Sequence, residues 1–402
     1  MLLRYLAVVE HFFEDVPSGS ARVAWDIAMA MRDRGYEVTV LCYRVGDTAP
    51  GLSEYDGVRL VRFDKEGKPG WHPGRLQAII ESTARACRQW LSDRSWDIVH
   101  VHSCLMGLGA VSCFVAGPRY VFTVHSPMVL EQEINWRYQG FAGRLKLLFG
   151  RRALAGAEER MLRSASVIHT LSEFTRYKID NSYGVGNRVT VVPHWFEKRA
   201  TGMEKPAARQ ALGWPAGVPI FLTVRGMRPR YGLDVAIRAL APVALEHGCY
   251  FYVGGDGPLR AELEKLASGL GASEYIRFLG RLSDADLELA YSAADVFILP
   301  TIALECYGLI TVEALSFGCP VISSDAAAIP EIMRPILPDC IAKTGDVAAL
   351  REKAVQFIEG KLNVPDKFSL INHAETHYSK EHIVCRLAEL FEADLPDYAP
   401  GY

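Results

Sequence analysis

At 402 residues, half of them hydrophobic, the chain is long enough for two separate cores, since globular domains hold ~100–200 residues each. Its 44 Lys and Arg are matched by 47 Asp and Glu, and the formal charge of -3 excludes the overall basic excess of a dedicated nucleic-acid binder. Nine cysteines, an odd number without a C-x-x-C spacing, argue against a disulfide framework and against zinc, and for reduced thiols in the cytoplasm.

The opening MLLRYLAVVEHFF has too short an apolar run around Arg4 for a signal segment or a membrane span, and reads as a first buried strand. Further strands are expected at EVTVLCY, DIVHVH, RYVFTVH, SVIHTL and RVTVVP. Helices should begin near Gly19, Gly74, Cys104 and Phe141, with a short one after Ser172. Strands apolar on both faces, alternating with helices, predict a parallel sheet covered by helices. Around Phe196 to Thr201 the composition shifts and the pattern restarts, with strands at PIFLTVR, YFYVGG, IRFLG, DVFILP and PVISS. The fold expected is α/β, two doubly wound Rossmann-like domains over 1–197 and 198–379, with a last helix within about 380–402 returning to the first domain. Ligands in such sheets sit outside the carboxyl ends of the strands, and the cleft between two domains is the default site.

ECYGLITVEAL, Glu305 to Leu315, places two carboxylates in an otherwise apolar run. A helix built from GLITVEALSFG is apolar nearly all round and therefore buried. Glu313 falls between Leu309 and Phe317 on that helix, where an ionised carboxylate needs a partner. An internal salt bridge or a capping bond would satisfy it. The alternative is a ligand, because Gly308 marks a helix start after a strand, where free amides and the helix dipole suit a phosphate. A carboxylate one turn deeper then meets a vicinal diol beside that phosphate, which describes a nucleotide ribose. Glu305, in the preceding loop, is by itself an ordinary loop carboxylate.

ECYGLITVEALSFGCPVISSDAAAIPEIM resembles the E-x7-E signature of retaining, nucleotide-sugar-dependent glycosyltransferases of the GT-B fold, the family-4 type. IRFLGRLSDADLELAYSAADVFILPT, YVGGDGPLRAELEKLA and PSGSARVAWDIAMAMRDRGYEVTVL match other blocks of that family in order, so the likeness spans the chain. The resemblance implies an acceptor-binding first domain, a donor-binding second domain and hexosyl transfer from a nucleoside diphosphate sugar, with UDP favoured over GDP-mannose. It implies no cofactor and no metal. Glu313 would bind the ribose hydroxyls, the backbone of Gly308 and Leu309 the diphosphate, and Leu282 the base through its main chain. Glu305 would face the transferred sugar, Gly19 would lie in the loop that closes on the diphosphate, and His125 would reach the donor sugar from the first domain. The sequence departs from the family in TVRGMRPRYGLD, where Tyr231 stands at the position of a lysine that clamps the diphosphate. Arg225 and Arg230 are left as the candidate cations. A nucleotide-sugar epimerase or a phosphorylase-like enzyme is the alternative on this fold.

Acceptor contacts are expected from first-domain loops, among them His11 to Ser18, His102, Trp136 and Tyr138, with the two aromatics either stacking on a sugar or packing their own loop. GRLKLLFGRRALAGAEERMLR, Gly143 to Arg163, is a basic stretch of helical period, either a surface helix or a contact with an anionic membrane, which would place the protein at the inner membrane face. DAD at Asp284 to Asp286 opens a helix, where Ser283 or Asp284 as N-cap and acids in the first turn are expected, and not a metal site. GGDGPL lacks the third glycine of a dinucleotide fingerprint at Arg260.

Overall fold

The computed structural model describes residues 2–16, 18–66, 74–114, 117–137, 140–197, 203–393 and 395. Its contacts divide the chain into two compact units, Met1–His194 with Glu381–Tyr402, and Trp195–Lys380.

The first unit runs β1 (Arg4–His11), α1 (Gly19–Asp33), β2 (Glu37–Tyr43), β3 (Gly51–Tyr55), β4 (Val58–Phe63), α2 (Gly74–Trp90), β5 (Ile98–Val101) and α3 (Cys104–Val111). It continues through β6 (Arg119–Val124), α4 (Met128–Arg137), α5 (Gly140–Ser164), β7 (Val167–Thr170), α6 (Glu173–Tyr183) and β8 (Val189–Val191). The sheet order is β3-β4-β2-β1-β5-β6-β7-β8, parallel throughout except for the β3–β4 pair. That hairpin is absent from the expected strands. Its turn is Asp56-Gly57, both residues at positive φ, the pairing that a tight two-residue hairpin requires.

Helix α4 is also unexpected, because MVLEQEINWR has no apolar stripe to announce it. Its first turn is held from elsewhere: the buried Glu158 on α5 accepts from the Met128 and Val129 amides and from the Tyr183 hydroxyl at 2.7 Å. Burial raises the Glu158 pKa against the opposing pull of those hydrogen bonds. This carboxylate therefore orients the segment directly after β6.

Buried polar side chains at three neighbouring strand positions, His169 on β7, Thr123 on β6 and His100 on β5, satisfy one another. The Val192 carbonyl can only accept, so His169 donates to it from Nε2 at 2.9 Å. Neutral His169 must then accept at Nδ1 from the Thr123 hydroxyl, at 2.8 Å, and Thr123 in turn accepts from Nε2–H of His100 at 2.6 Å. The chain ends with the Tyr5 hydroxyl donating to Nδ1 of His100. One carbonyl just past β8 thus sets the direction of four hydrogen bonds across the four strands β7, β6, β5 and β1. Both imidazoles are inaccessible to solvent and their pKa values are lowered, mainly by burial, that of His169 to about 4.

The second unit runs α7 (Lys205–Leu212), β9 (Ile220–Val224), α8 (Leu233–His247), β10 (Tyr250–Gly254), α9 (Arg260–Gly269), β11 (Ile276–Gly280), α10 (Asp284–Ala293) and β12 (Val296–Leu299). Then come α11 (Leu309–Ser316), β13 (Val321–Ser324), α12 (Ile329–Met333), β14 (Ile341–Ala342), α13 (Val347–Ile358) and α14 (Lys367–His377). The all-parallel order β11-β10-β9-β12-β13-β14 is that of nucleotide-binding doubly wound sheets, with the winding direction reversing between β9 and β12.

Helix α15 (Lys380–Glu392) leads back to the first unit. Phe391 lies 4.8 Å from the His100 ring and 6.1 Å from that of Tyr5, and Arg386 donates to the Val191 carbonyl at 3.0 Å. The apolar face of α15, Ile383, Val384, Leu387, Ala388 and Phe391, is buried. It seals the histidine chain from water.

Two predictions follow from this packing. Glu158→Ala orphans two α4 amides and should lower stability by about 2 kcal/mol in chemical denaturation, with Glu158→Gln losing less. Folded His100 and His169 stay neutral below the unfolded pKa of about 6.5, so the unfolded chain binds more protons and stability is lost as pH falls below that value. At pH 5.5 each ring should cost about 1.4 kcal/mol, and the melting temperature should drop steeply between pH 7 and 5.5, where histidine is the main titrating side chain. An unchanged melting temperature over that interval would contradict the assigned hydrogen-bond chain.

Candidate functional site

In the second unit the residues singled out from sequence collect at the carboxyl ends of β9, β10, β11 and β12. Arg225 follows β9 directly, and its side chain is only 6% exposed. It forms an ion pair with Glu305 and donates to the Thr301 hydroxyl, and its guanidinium stacks on the Tyr231 ring 4.3 Å away. Arg230 stacks on the same ring at 5.0 Å and donates to the Tyr231 hydroxyl at 3.1 Å. Tyr231 thus holds two arginines, one over its ring and one also bonded to its oxygen. An aromatic face attracts each guanidinium and lets the two cations lie close together.

Glu305 is 17% exposed and sits in the loop between β12 and α11. Leu304 before it adopts φ 53, a left-handed conformation that strains a branched side chain. Ala328 donates to the Glu305 carbonyl at 3.0 Å, pinning the loop from the other side. Gly308 opens α11 at φ 92, so its glycine is required by backbone conformation and not by crowding. Helix geometry leaves the amides at the start of α11, those of Gly308, Leu309 and Ile310, without intrahelical acceptors, whereas Thr311 donates to the Gly308 carbonyl at 2.8 Å. Glu313 lies in the second turn, half-buried, and Tyr291 of α10 donates to it at 2.8 Å. Burial, and then the Glu313 charge and hydrogen bond, raise the Tyr291 pKa well above its usual value and keep the phenol protonated.

The loops approach one another closely at their backbones. A side chain at Gly255 would meet the Arg225 carbonyl, and one at Gly232 the Pro300 carbonyl, each at 2.0 Å. The Leu282 side chain reaches over Gly254, placing the segment after β11 beside the glycine-rich turn after β10. Ser283 caps α10 by accepting from the Asp286 amide at 3.1 Å and donating to its carboxylate at 2.7 Å, as the sequence suggested for DAD.

In the first unit Gly19 begins α1 behind the Ser18 cap, and a side chain there would meet nothing within 4 Å. His102 follows β5 and His125 follows β6, and their rings are joined by a 2.9 Å hydrogen bond between His102 Nδ1 and His125 Nε2. Both pKa values are lowered by burial and then by neighbouring histidines, that of His125 to about 3. The remaining acceptor residues fare differently. Trp136, expected in a loop, is on α4 and only 3% exposed, so its ring offers no open face. Tyr138 lies outside the described residues. Gly143 to Arg163 lies within α5.

Sequence reasoning missed Thr301, Tyr291 and the strained Leu304, and saw Tyr231 only as a missing lysine. A hydroxyl one residue past DVFILP was the available signal for Thr301. None existed for Tyr291, whose partner comes from another helix.

Residues 204–374 match the family described as Glycosyl transferases group 1, and residues 18–195 the Glycosyl transferase 4-like domain. The chain is 28% identical over 353 residues to the phosphatidyl-myo-inositol mannosyltransferase of Mycobacterium leprae, covering 86% of this chain and 84% of that protein. It is 26% identical over 361 residues to the 2-deoxystreptamine N-acetyl-D-glucosaminyltransferase of Streptomyces fradiae, covering 82% and 79%. Among solved structures it resembles the sucrose-phosphate synthase of Thermosynechococcus elongatus, with a TM-score of 0.80 at 18% identity over 97% of this chain and 98% of that one. Anabaena HepE, solved with UDP and glucose, gives a TM-score of 0.73 at 18% identity over 97% and 100%. With both domain matches in order along the chain and both sheets of the expected kind, the protein belongs to the group 1 glycosyltransferases of the GT-B fold.

Proposed function

We propose that the protein transfers a hexose from a nucleoside diphosphate sugar, UDP favoured over GDP, to an acceptor hydroxyl, with retention of anomeric configuration and without a metal. The observation that carries this reading is the buried Arg225, stacked on Tyr231 and paired with Glu305, beside the amino end of α11 at the β9/β12 switch. The bond from the sugar's anomeric carbon to the phosphate oxygen breaks and its electron pair leaves with the diphosphate. Arg225, Arg230 and the α11 amides at Gly308 and Leu309 stabilise that charge, which supplies the need usually met by a metal. The acceptor oxygen bonds to the anomeric carbon on the face the diphosphate leaves, and its proton passes to a departing phosphate oxygen. Glu313 takes the ribose hydroxyls, Leu282 borders the base, Gly19 meets the diphosphate from the amino end of α1 and not from a loop, and Glu305 and His125 attend the transferred sugar. The relatives' names, a phosphatidyl-myo-inositol mannosyltransferase and a 2-deoxystreptamine N-acetyl-D-glucosaminyltransferase, favour a polyol acceptor.

A second reading concerns place. No helix among the described residues is long and apolar enough to cross a membrane. On α5, however, Phe141, Leu145 and Leu148 recur at helical spacing and are exposed, Phe141 to 76% and Leu148 to 71%, with exposed Arg144, Arg151 and Arg152 nearby. Apolar side chains flanked by cations suit the surface of an anionic bilayer, and we propose that a cytoplasmic pool binds it peripherally through α5.

In a thermal-shift panel of UDP, GDP, ADP and TDP with their sugars, one base should raise the melting temperature strongly and UDP is the expected one. Glu313→Gln should weaken that nucleotide about tenfold, a loss of about 1.4 kcal/mol. Glu305→Ala should cut turnover at least about a hundredfold and also destabilise the fold by about 3 kcal/mol, because it strands a buried arginine. If both variants transfer sugar normally, the site assignment is wrong. Sedimentation with phosphatidylglycerol vesicles should carry the protein down at low salt, and replacing Phe141 and Leu148 by Ser should leave it in the supernatant.

A further inference from the structure

The His102–His125 hydrogen bond can be made in two ways by neutral rings. Either His102 donates from Nδ1–H to Nε2 of His125, or His125 donates from Nε2–H to Nδ1 of His102. The choice is decided at the far nitrogen of His102. His102 Nε2 is buried and has no hydrogen-bond partner among the described residues. If His125 were the donor, that nitrogen would carry its ring's proton, and a buried N–H without an acceptor is the rarer and costlier kind of orphan, at about 1–3 kcal/mol. If His102 is the donor, the same atom is a bare ring nitrogen with no proton to place. Both pKa values are lowered by burial, which keeps the pair neutral and the choice a real one. His125 is itself partly exposed, and its bond to His102 uses Nε2 and leaves Nδ1 as the ring's other nitrogen.

We infer that His102 is a positioning residue, whose Nδ1–H bond to Nε2 fixes His125 as the Nδ1–H tautomer and presents a hydrogen-bond donor to substrate. This rests on the proposed glycosyl transfer for its catalytic meaning. Under it, His125 offers a proton-bearing nitrogen to a sugar oxygen and cannot take the acceptor's proton at Nδ1. That proton must leave by another route, in accord with its transfer to the departing phosphate. The reading also reassigns His102, which the sequence suggested as an acceptor contact, to the support of its neighbour.

The first unit supplies its own control. The carbonyl-anchored chain makes His100 and His169 Nε2–H tautomers, whereas His102 and His125 should be Nδ1–H, the form that free histidine disfavours. Long-range ¹⁵N–¹H correlation spectra of the full chain labelled at histidine, assigned with His125→Asn and His102→Asn, should show a proton-bearing Nδ1 and a bare Nε2 for both residues at pH 7.5. A proton on Nε2 of His125, or a charged ring at either site, would overturn the inference. This spectrum needs no turnover, so a chain inactive with every donor would defeat the glycosyl-transfer reading while the spectrum still decides the tautomer. In turnover, His102→Phe should lower kcat roughly tenfold to a hundredfold, as loss of a ring-orienting partner does elsewhere, with the donor KM within about twofold. His102→Asn keeps an N–H donor near the same place and should recover most of the rate. Full activity of His102→Phe would refute the positioning role.

Discussion

The site of the second unit depends on one buried cation. The Arg225 guanidinium carries only hydrogen-bond donors, and with its side chain 6% exposed it cannot rely on water, so the protein must surround it with acceptors or lose several kcal/mol. Three elements meet that demand: the Glu305 carboxylate, the Thr301 hydroxyl and the face of Tyr231. Each comes from a loop at the switch between β9 and β12, so satisfying the arginine also fixes where those loops lie. The left-handed Leu304 is the strain accepted to aim Glu305 at it. A diphosphate arriving at the amino end of α11 would meet a cation already in place, its orientation set by a ring in place of a second long and mobile cation.

The first unit faces the same demand with neutral groups. Polar side chains on buried strands must bond to one another, and here a single carbonyl beside β8 orders the sequence from His169 through Thr123 and His100 to Tyr5. The layer is closed by Phe391 of α15, a segment nearly three hundred residues from His100 along the chain. Burial lowers the pKa of both histidines in the layer, and it does the same to His125, which follows β6 and is hydrogen-bonded to His102. A neutral imidazole is suited to hydrogen bonding and poorly suited to carrying charge.

Much of this was open to reading along the chain. YLAVVE, DVFILP and PVISS are apolar on both faces, which only a sheet covered on both sides tolerates, and they form central strands of the two sheets. The β3–β4 hairpin was missed although Asp56-Gly57 announced it, and α4 was missed because its first turn is held by Glu158, thirty positions away, and not by a local cap. In the site, the spacing of Glu305 and Glu313 and the helix start at Gly308 could be seen in ECYGLITVEAL. The engagement of Glu305 by Arg225, and of Glu313 by Tyr291, could not, since each partner is brought up by a different strand or helix.

The sequence by itself determined the class of fold, the two sheets, the family and the carboxylate pair, because these are set by local periodicity and by motifs short enough to be written in one stretch. Only the tertiary structure decided which groups those motifs meet: that Tyr231 gathers two arginines, that Trp136 is packed away on a helix, and that His102 stands behind His125. Hydrogen bonds and ion pairs act over about 3 Å in space whatever the separation along the chain, so partners of this kind are fixed by strand order and loop approach and leave no mark in the spacing of residues.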